Sequence, residues 1–382
     1  MAHTELNKTE LTLGQKVWQI HWFLVLLITA TAGVGFVMLY SAANGSIDPW
    51  ASRQAARFAV GLVLMLCVAV IDIRIWLKHA YLMYGVSVAL LCAVEFSGFV
   101  GMGAQRWISL GFFNLQPSEL TKITLVLALA RYFHATSLEE AGRIGRVVPP
   151  VFLIALPVAL VLRQPDLGTA LMMAMASAVI LFLAGVRLWK FGLAGAVVLG
   201  AAPVAWSFLH DYQKQRVLTF LDPERDALGA GYHIIQSKIA LGSGGIMGKG
   251  FLQGTQGHLN FLPEKQTDFI FTMLAEEFGL LGGLGLLGLY ALLLAYGFFI
   301  ALRSRNHFGR LVAMGVTTTF FLYVFINIAM VMGLIPVVGV PLPLISYGGT
   351  VMMTLLIGFG LLLNVWVHRD VTFGPRGAPE TS

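Results

Sequence analysis

Asp268 closes a hydrophilic stretch of about sixty residues, from about Leu209 to Asp268, in a chain that is otherwise one apolar segment after another. A carboxylate where a long polar loop re-enters a bilayer must be held ionised or neutral by its surroundings, and either state costs free energy that a structural role seldom justifies. Glu264 stands four residues earlier, and Glu276 and Glu277 lie about two turns further into the next apolar run. Carboxylates gathered at one helix entrance can place a general base beside an anionic substrate, or bind a divalent cation such as Mg or Mn. The structural alternative is that Asp268 caps that helix and Glu276 pairs with a basic residue inside the bundle.

A second group is Glu119 and Lys122, three apart and therefore on one helical face. An unpaired ammonium at that depth costs several kcal/mol, so Lys122 should face the bundle interior with a partner. Simple neutralisation by Glu119 is the bland account. Arg53, Arg57, Arg106 and Arg163 fall in short loops near these segments, and Asp166 follows Gln164 and Pro165. With Lys122 they would form a cationic site for a polyanion, helped by helix N-termini, whose free N–H groups favour phosphate-like anions. Pro beside Ser or Asp at a helix start is also ordinary capping chemistry.

The elements that must position these residues are apolar. The chain is 57% hydrophobic and only 12% charged, outside the range of soluble globular domains. Apolar windows fall near 19–40, 55–71, 80–98, 118–133, 148–162, 168–186, 190–208, 269–302, 311–334 and 350–367. The eighth is overlong and can include an interfacial turn. No cleavage site follows the first window, so no removable signal peptide is expected. Lys8, Lys16, Arg74, Lys78, Arg131, Arg143, Arg146, Arg187, Lys190, Arg303, Arg305, Arg310, Arg369 and Arg376 all fall on one side under ten-span alternation. The positive-inside rule makes that side cytoplasmic. The expectation is an all-α polytopic integral membrane protein with about ten transmembrane helices and both termini cytoplasmic. One large extracytoplasmic loop, 209–268, separates helices seven and eight within a single domain, 1–382. The formal charge of +6 is mostly topogenic and implies no nucleic acid. Cys67 and Cys92, both in apolar spans, read as small core residues, and Trp18, His21 and Trp22 as interfacial anchors.

Even-numbered spans start at the outer face, so about five helix N-termini point that way, the last following Ser346-Tyr347-Gly348-Gly349. Gly333 through Gly349 holds three prolines and four glycines without a charge and cannot be a regular helix. Irregular backbone at membrane depth is tolerated where it is buried in protein or lines a cavity, so this segment should wall a groove, a kinked passive connection being the alternative. Within the loop, Gly231 to Ala240 has an apolar face at helical spacing and is expected along the membrane surface. Gly242 to Gly250, with Lys249, misses the spacing of a nucleotide-binding loop and reads as a pliant lid or substrate-contact loop, or a plain linker.

Together these motifs resemble the SEDS family of bacterial cell-wall polymerases. The resemblance rests on Gln116-Pro117-Ser118-Glu119 with Lys122, Gln164-Pro165-Asp166-Leu167-Gly168-Thr169, Gly231 through Gly250, Phe261-Leu262-Pro263-Glu264 with Thr267-Asp268-Phe269, and Gly333 through Gly349. It spans nearly the whole chain, and the loop's wording is closer to the rod-shape branch than to the division branch. It implies a peptidoglycan glycosyltransferase that joins lipid II units outside the cytoplasmic membrane and releases undecaprenyl pyrophosphate. It also implies Asp268 as catalytic base, Glu119 and Lys122 lining the same cavity, and a class B penicillin-binding protein transpeptidase as partner. Some relatives carry a carboxylate where this chain has Asn260, so Asp268 stands without that second acid. Arg53, Arg57, Arg106, Arg163, Asp166, Lys249, Glu264 and Ser346 complete the expected substrate-binding set. A lipid II flippase, a secondary transporter and a non-catalytic scaffold are the competing classes.

Overall fold

The computed structural model describes residues 12–97, 99–101, 104–109, 111, 114–208, 211–222, 230–259, 261–262 and 264–372. Lys8, Arg376, Asn260 and Pro263 lie outside these residues. The elements run α1 (Leu13–Gln19), α2 (Trp22–Ala42), α3 (Trp50–Val70) and α4 (Ile73–Ser97), then β1 (Phe99–Gly101), β2 (Ala104–Ser109) and β3 (Asn114–Leu115). They continue with α5 (Pro117–His134), α6 (Leu138–Ala141), α7 (Ile144–Arg163), α8 (Leu167–Leu183), α9 (Leu188–Phe208), α10 (Asp211–Leu221), α11 (Ala230–Ser243) and α12 (Thr255–His258). The chain ends with α13 (Ile270–Arg303), α14 (His307–Val331) and α15 (Gly349–Val367).

Among the described residues, 7 helices are long and apolar enough to cross a membrane: α2, α3, α4, α7, α13, α14 and α15. Helix α8 and the first part of α9 are shorter apolar helices. Every apolar window read from the sequence is occupied by a helix, including α5, which carries Glu119, Lys122 and Arg131. Helices α14 and α15 are central, with 72% and 78% of their apolar windows buried, whereas α7, at 17%, forms the periphery. Apolar packing inside a bilayer gains little from solvent exclusion, so close approach through small residues matters more. Gly360 of α15 shows this, since a Cβ there would lie 2.8 Å from the Met65 carbonyl of α3. Asn364 then donates to the carbonyls of Val68 and Ala69, both at 3.1 Å, closing the C-terminal end of α3.

Four expectations need correction. The chain is mostly rather than wholly helical: β1, β2 and β3 form a three-stranded antiparallel sheet between α4 and α5. That stretch is punctuated by glycines around Gln105-Arg106-Trp107-Ile108, too short to span and rich enough in β-formers to pair locally. Helix α11 packs on α13 and α14 rather than lying on lipid alone. Its Ser237 is fully buried and bonds the Thr272 hydroxyl at 2.9 Å and the Val331 carbonyl at 2.7 Å. Cys67 is exposed and Cys92 half-buried, both as free thiols, so neither is a core residue.

The fourth correction concerns the glycine-rich run before α12. Helix α13 is broken at Gly279, whose φ of 65° and ψ of −160° belong to no helix. The run fills that break. Lys249 and Gly250 donate their N–H groups to the carbonyls of Glu276 and Glu277, both at 3.0 Å. Gly245 and Ile246 in turn accept from Leu280 and Leu281 at 2.9 and 3.2 Å. Backbone groups freed by a helix break at membrane depth must find partners within the protein. Gly244 and Gly248 allow the contact, because a Cβ on either would collide with the α13 backbone. The run is therefore a fixed splint, not a pliant lid.

Candidate active site

The irregular segment between α14 and α15 organises the site. Ser346 Oγ donates to the Thr267 carbonyl at 2.5 Å and accepts from the Leu342 N–H at 2.8 Å, while the Tyr347 N–H donates to the Gln266 carbonyl at 2.8 Å. Gln54, fully buried in the second turn of α3, donates to the Ser346 carbonyl at 2.9 Å and accepts from the Gly348 N–H at 3.3 Å. Thr350 at the start of α15 donates to the Asn114 carbonyl at 2.7 Å, just ahead of α5. At the start of α8, a Cβ on Gly168 would stand 3.1 Å from the Val338 carbonyl. The starts of α3, α8, α13 and α15 thus converge on one segment, and α15 in turn holds the strand just ahead of α5.

Asp268 lies at this convergence, half-buried, one residue ahead of Phe269, the N-cap of α13. Its carboxylate rests against Gly339: a Cβ there would be 3.5 Å from Asp268 Oδ2, and Gly339 itself has φ +70°. Glu264, at φ 51°, turns the chain ahead of it, and its Oε2 accepts from Thr267 Oγ1 at 2.9 Å and Gln266 Nε2 at 3.4 Å. Lys265 between them is buried and donates to the Gly257 carbonyl at 2.9 Å. That burial lowers its pKa from the ordinary lysine value.

Glu119 and Lys122 form a separate, closed unit. Lys122 Nζ stands 2.7 Å from Glu119 Oε1 and also donates to the Tyr323 hydroxyl, which donates to Glu119 Oε2. The ammonium additionally sits 4.3 Å from the centroid of the Tyr323 ring. The two charged side chains are only 3% and 4% exposed, so this triangle is sealed from solvent.

The remaining expected site residues divide. Arg57 lies against Gly349 and over the Tyr347 ring, 4.8 Å from its centroid, and Arg53 is exposed one turn earlier, so both edge the convergence. Arg106 of β2 is turned to the α7–α8 connection, donating to the carbonyls of Gln164 (3.0 Å) and Pro165 and facing Asp166 at 3.8 Å. Asp166 caps α8 by accepting from the Thr169 N–H at 3.2 Å. Arg163 pairs with Glu95 at 3.5 Å on the surface. Lys249 is spent on Glu276, 2.7 Å away, whose carboxylate also accepts from the N–H groups of Thr255 (2.9 Å) and Gln256 (3.1 Å). Glu277 accepts from Ser41 and faces His258 Nε2 at 3.2 Å, tying α12 and the end of α2 to α13.

Among the described residues no three His, Cys, Asp or Glu side chains gather in a way that could hold a metal ion. The Glu264 carboxylate is engaged locally by Thr267 and Gln266. The sequence reading missed Gln54, Tyr323, Asn327, Ser41 and His258. Each is a polar group in or against an apolar helix. The signal was that a polar side chain in a membrane span needs a partner, but partners tens to hundreds of residues away leave no mark in local spacing.

Comparisons with known proteins identify the family. A family model described as "Cell cycle protein" (FTSW_RODA_SPOVE) matches residues 20–371. The peptidoglycan glycosyltransferase MrdB of Escherichia coli (strain K12) is 46% identical over 353 residues, covering 91% of this chain and 94% of that protein. MrdB of Helicobacter pylori (strain ATCC 700392 / 26695) is 38% identical over 376 residues, covering 97% and 96%. Among solved structures, a chain from work on the coordination of polymerization and crosslinking by a peptidoglycan synthase complex superposes with a TM-score of 0.79. It shares 37% identity and covers 92% of this chain and 98% of that one. The rod shape determining protein RodA of Thermus thermophilus superposes at 0.69 with 32% identity, covering 92% and 97%. A match over residues 20–371 makes this multi-pass membrane protein a member of the FTSW_RODA_SPOVE family of cell cycle proteins.

Proposed function

We propose that the chain is a peptidoglycan glycosyltransferase that polymerises lipid II, with Asp268 as general base. The observation that carries this reading is one half-buried carboxylate at the meeting point of four helix starts, with Arg53 and Arg57 at its edge. Asp268 takes the proton from the 4-hydroxyl of the acceptor sugar as that oxygen attacks the anomeric carbon of the donor. The bond from that carbon to the α-linked pyrophosphate breaks, and a β-1,4 linkage forms with inversion. Pyrophosphate leaves readily, so one base with cationic support suffices, without the paired acid and base of glycoside hydrolases. Arg53, Arg57 and the N–H groups of the helix starts stabilise the departing charge. No step runs through a divalent cation, and any Mg or Mn would arrive with the pyrophosphate.

The wider arrangement belongs to the same reading. Ten helices cross the bacterial cytoplasmic membrane with both termini inside, and the segment 209–268 and Asp268 face the periplasm, in keeping with the distribution of Lys and Arg. A class B penicillin-binding protein transpeptidase crosslinks the new strands, a partnership supported by the synthase complex to which the fold is similar. The test is polymerisation of lipid II by purified protein, resolved on a gel, for wild type and Asp268→Asn, with and without chelator. Glycan ladders from the wild type and none from the variant are expected. Transport of lipid II in proteoliposomes with no polymer would instead favour a flippase.

A further inference from the structure

Asn327 sits near the C-terminal end of α14, fully buried in a helix that is otherwise mostly apolar. A carboxamide there carries a desolvation cost unless its hydrogen bonds are made. Its Nδ2 makes two, to the Asp268 carbonyl at 2.9 Å and to the Val340 carbonyl at 2.7 Å, while its Oδ1 is buried with no hydrogen-bond partner. Both neighbours are acceptors, so the orientation of the amide is fixed, since exchanging oxygen and nitrogen would set an acceptor against two carbonyls.

The two carbonyls flank the Asp268 carboxylate. One belongs to Asp268 itself, and the other to the residue after Gly339, against which that carboxylate rests. Asp268 also precedes the N-cap, so no intrahelical hydrogen bond sets its position. Three consecutive carbonyls are instead held from outside: Gln266 by the Tyr347 N–H, Thr267 by Ser346 and Asp268 by Asn327. The first two holders lie on the irregular segment, and only Asn327 comes from a buried helix. It also ties the irregular segment down at Val340.

We propose that Asn327 is a positioning residue for the transfer reaction: its carboxamide fixes the peptide groups on both sides of the Asp268 carboxylate and so sets where that carboxylate meets the acceptor hydroxyl. Among short side chains only asparagine offers two donors from one atom. Serine offers one, aspartate none, and glutamine reaches a methylene further. The inference rests on Asp268 being the base.

The experiment measures kcat and KM for lipid II, a pH–rate profile and thermal unfolding of purified Asn327→Leu, Asn327→Ser and Asp268→Asn. A carboxylate displaced by about 1 Å loses on the order of 100-fold in rate. Asn327→Leu is therefore expected to lower kcat by about that factor while KM stays within about threefold. Asn327→Ser, keeping one donor, should fall between Leu and wild type and move the acidic limb of the pH profile. Wild-type kcat in folded Asn327→Leu would overturn the proposal. So would a loss of rate that merely follows the folded fraction, with an unmoved pH profile. If the Leu variant does not fold, the Ser variant decides by the same two readouts. Undiminished polymerisation by Asp268→Asn would overturn the base itself, an outcome independent of the Asn327 variants.

Discussion

Two charged regions in this bundle are built on opposite terms. Glu119, Lys122 and Tyr323 form a closed triangle between two buried helices, with every charge answered from within. Asp268 is half-buried on a stretch of backbone that belongs to no helix, and its peptide group is held by neighbours, with the exposed Arg53 at the edge of the convergence. A sealed network of this kind braces α5 against α14, whereas at Asp268 it is the peptide group that neighbouring elements hold in place. The difference teaches how charge is held in such a bundle: one group is closed by its own side chains, the other is placed through its backbone.

Breaking the Asp268 region should cost the most activity. Asp268→Ala is expected to reduce lipid II polymerisation by ~10³-fold with little change in thermal unfolding, as removal of a general base does. The closed region should show the reverse. Lys122→Met alone strands a buried carboxylate and should destabilise the fold by ~3–5 kcal/mol, whereas Glu119→Leu with Lys122→Met should recover most of that loss. Recovered stability without recovered polymerisation in the double variant would break the contrast by giving the triangle a part in the chemistry. Between the two effects lies the splint. Lys249→Met leaves Glu276 without its cation, and hydrogen exchange should rise across residues 244–259 with a loss of about 1–3 kcal/mol. Unchanged exchange there would mean that the backbone bonds to α13 alone hold the run.

The smallest effect concerns pH and lies away from both regions. His368, just past α15, has its pKa lowered from 6.5, chiefly by burial, partly offset by its hydrogen bond to the Asn364 carbonyl. The unfolded chain therefore binds this proton more readily than the folded one. Stability should fall as pH drops through 6.5 and level off below the lowered folded value, and His368→Gln should flatten that slope in unfolding curves.

Much of this was legible in the sequence, because apolar length sets membrane helices directly. The windows, the overlong eighth span and the irregular Gly333 to Gly349 segment all follow from composition and from the positions of proline and glycine. Asp268 stood out for being where a polar stretch ends. The sheet around Arg106 did not, since alternation over so few residues carries little signal. Nor did the fate of Lys249: glycine-rich composition reads as flexible until a broken helix supplies the partners that fix it. Arg106 and Arg163 shared a side with the site by topology yet turn to Asp166 and Glu95, a choice that depends on tertiary geometry alone.

The break at Gly279 also bears on how the protein is made. An apolar helix interrupted near its start leaves peptide groups that lipid cannot satisfy, so its insertion would ordinarily stall until a partner arrived. Here the partner precedes it in the chain: residues 245–250 leave the ribosome before Glu276 to Leu281 do. The splint can thus wait at the membrane for the helix it completes. Moving that run elsewhere by circular permutation would reverse the order of synthesis and leave the first turns of α13, with Asp268 just ahead of them, to insert unsupported.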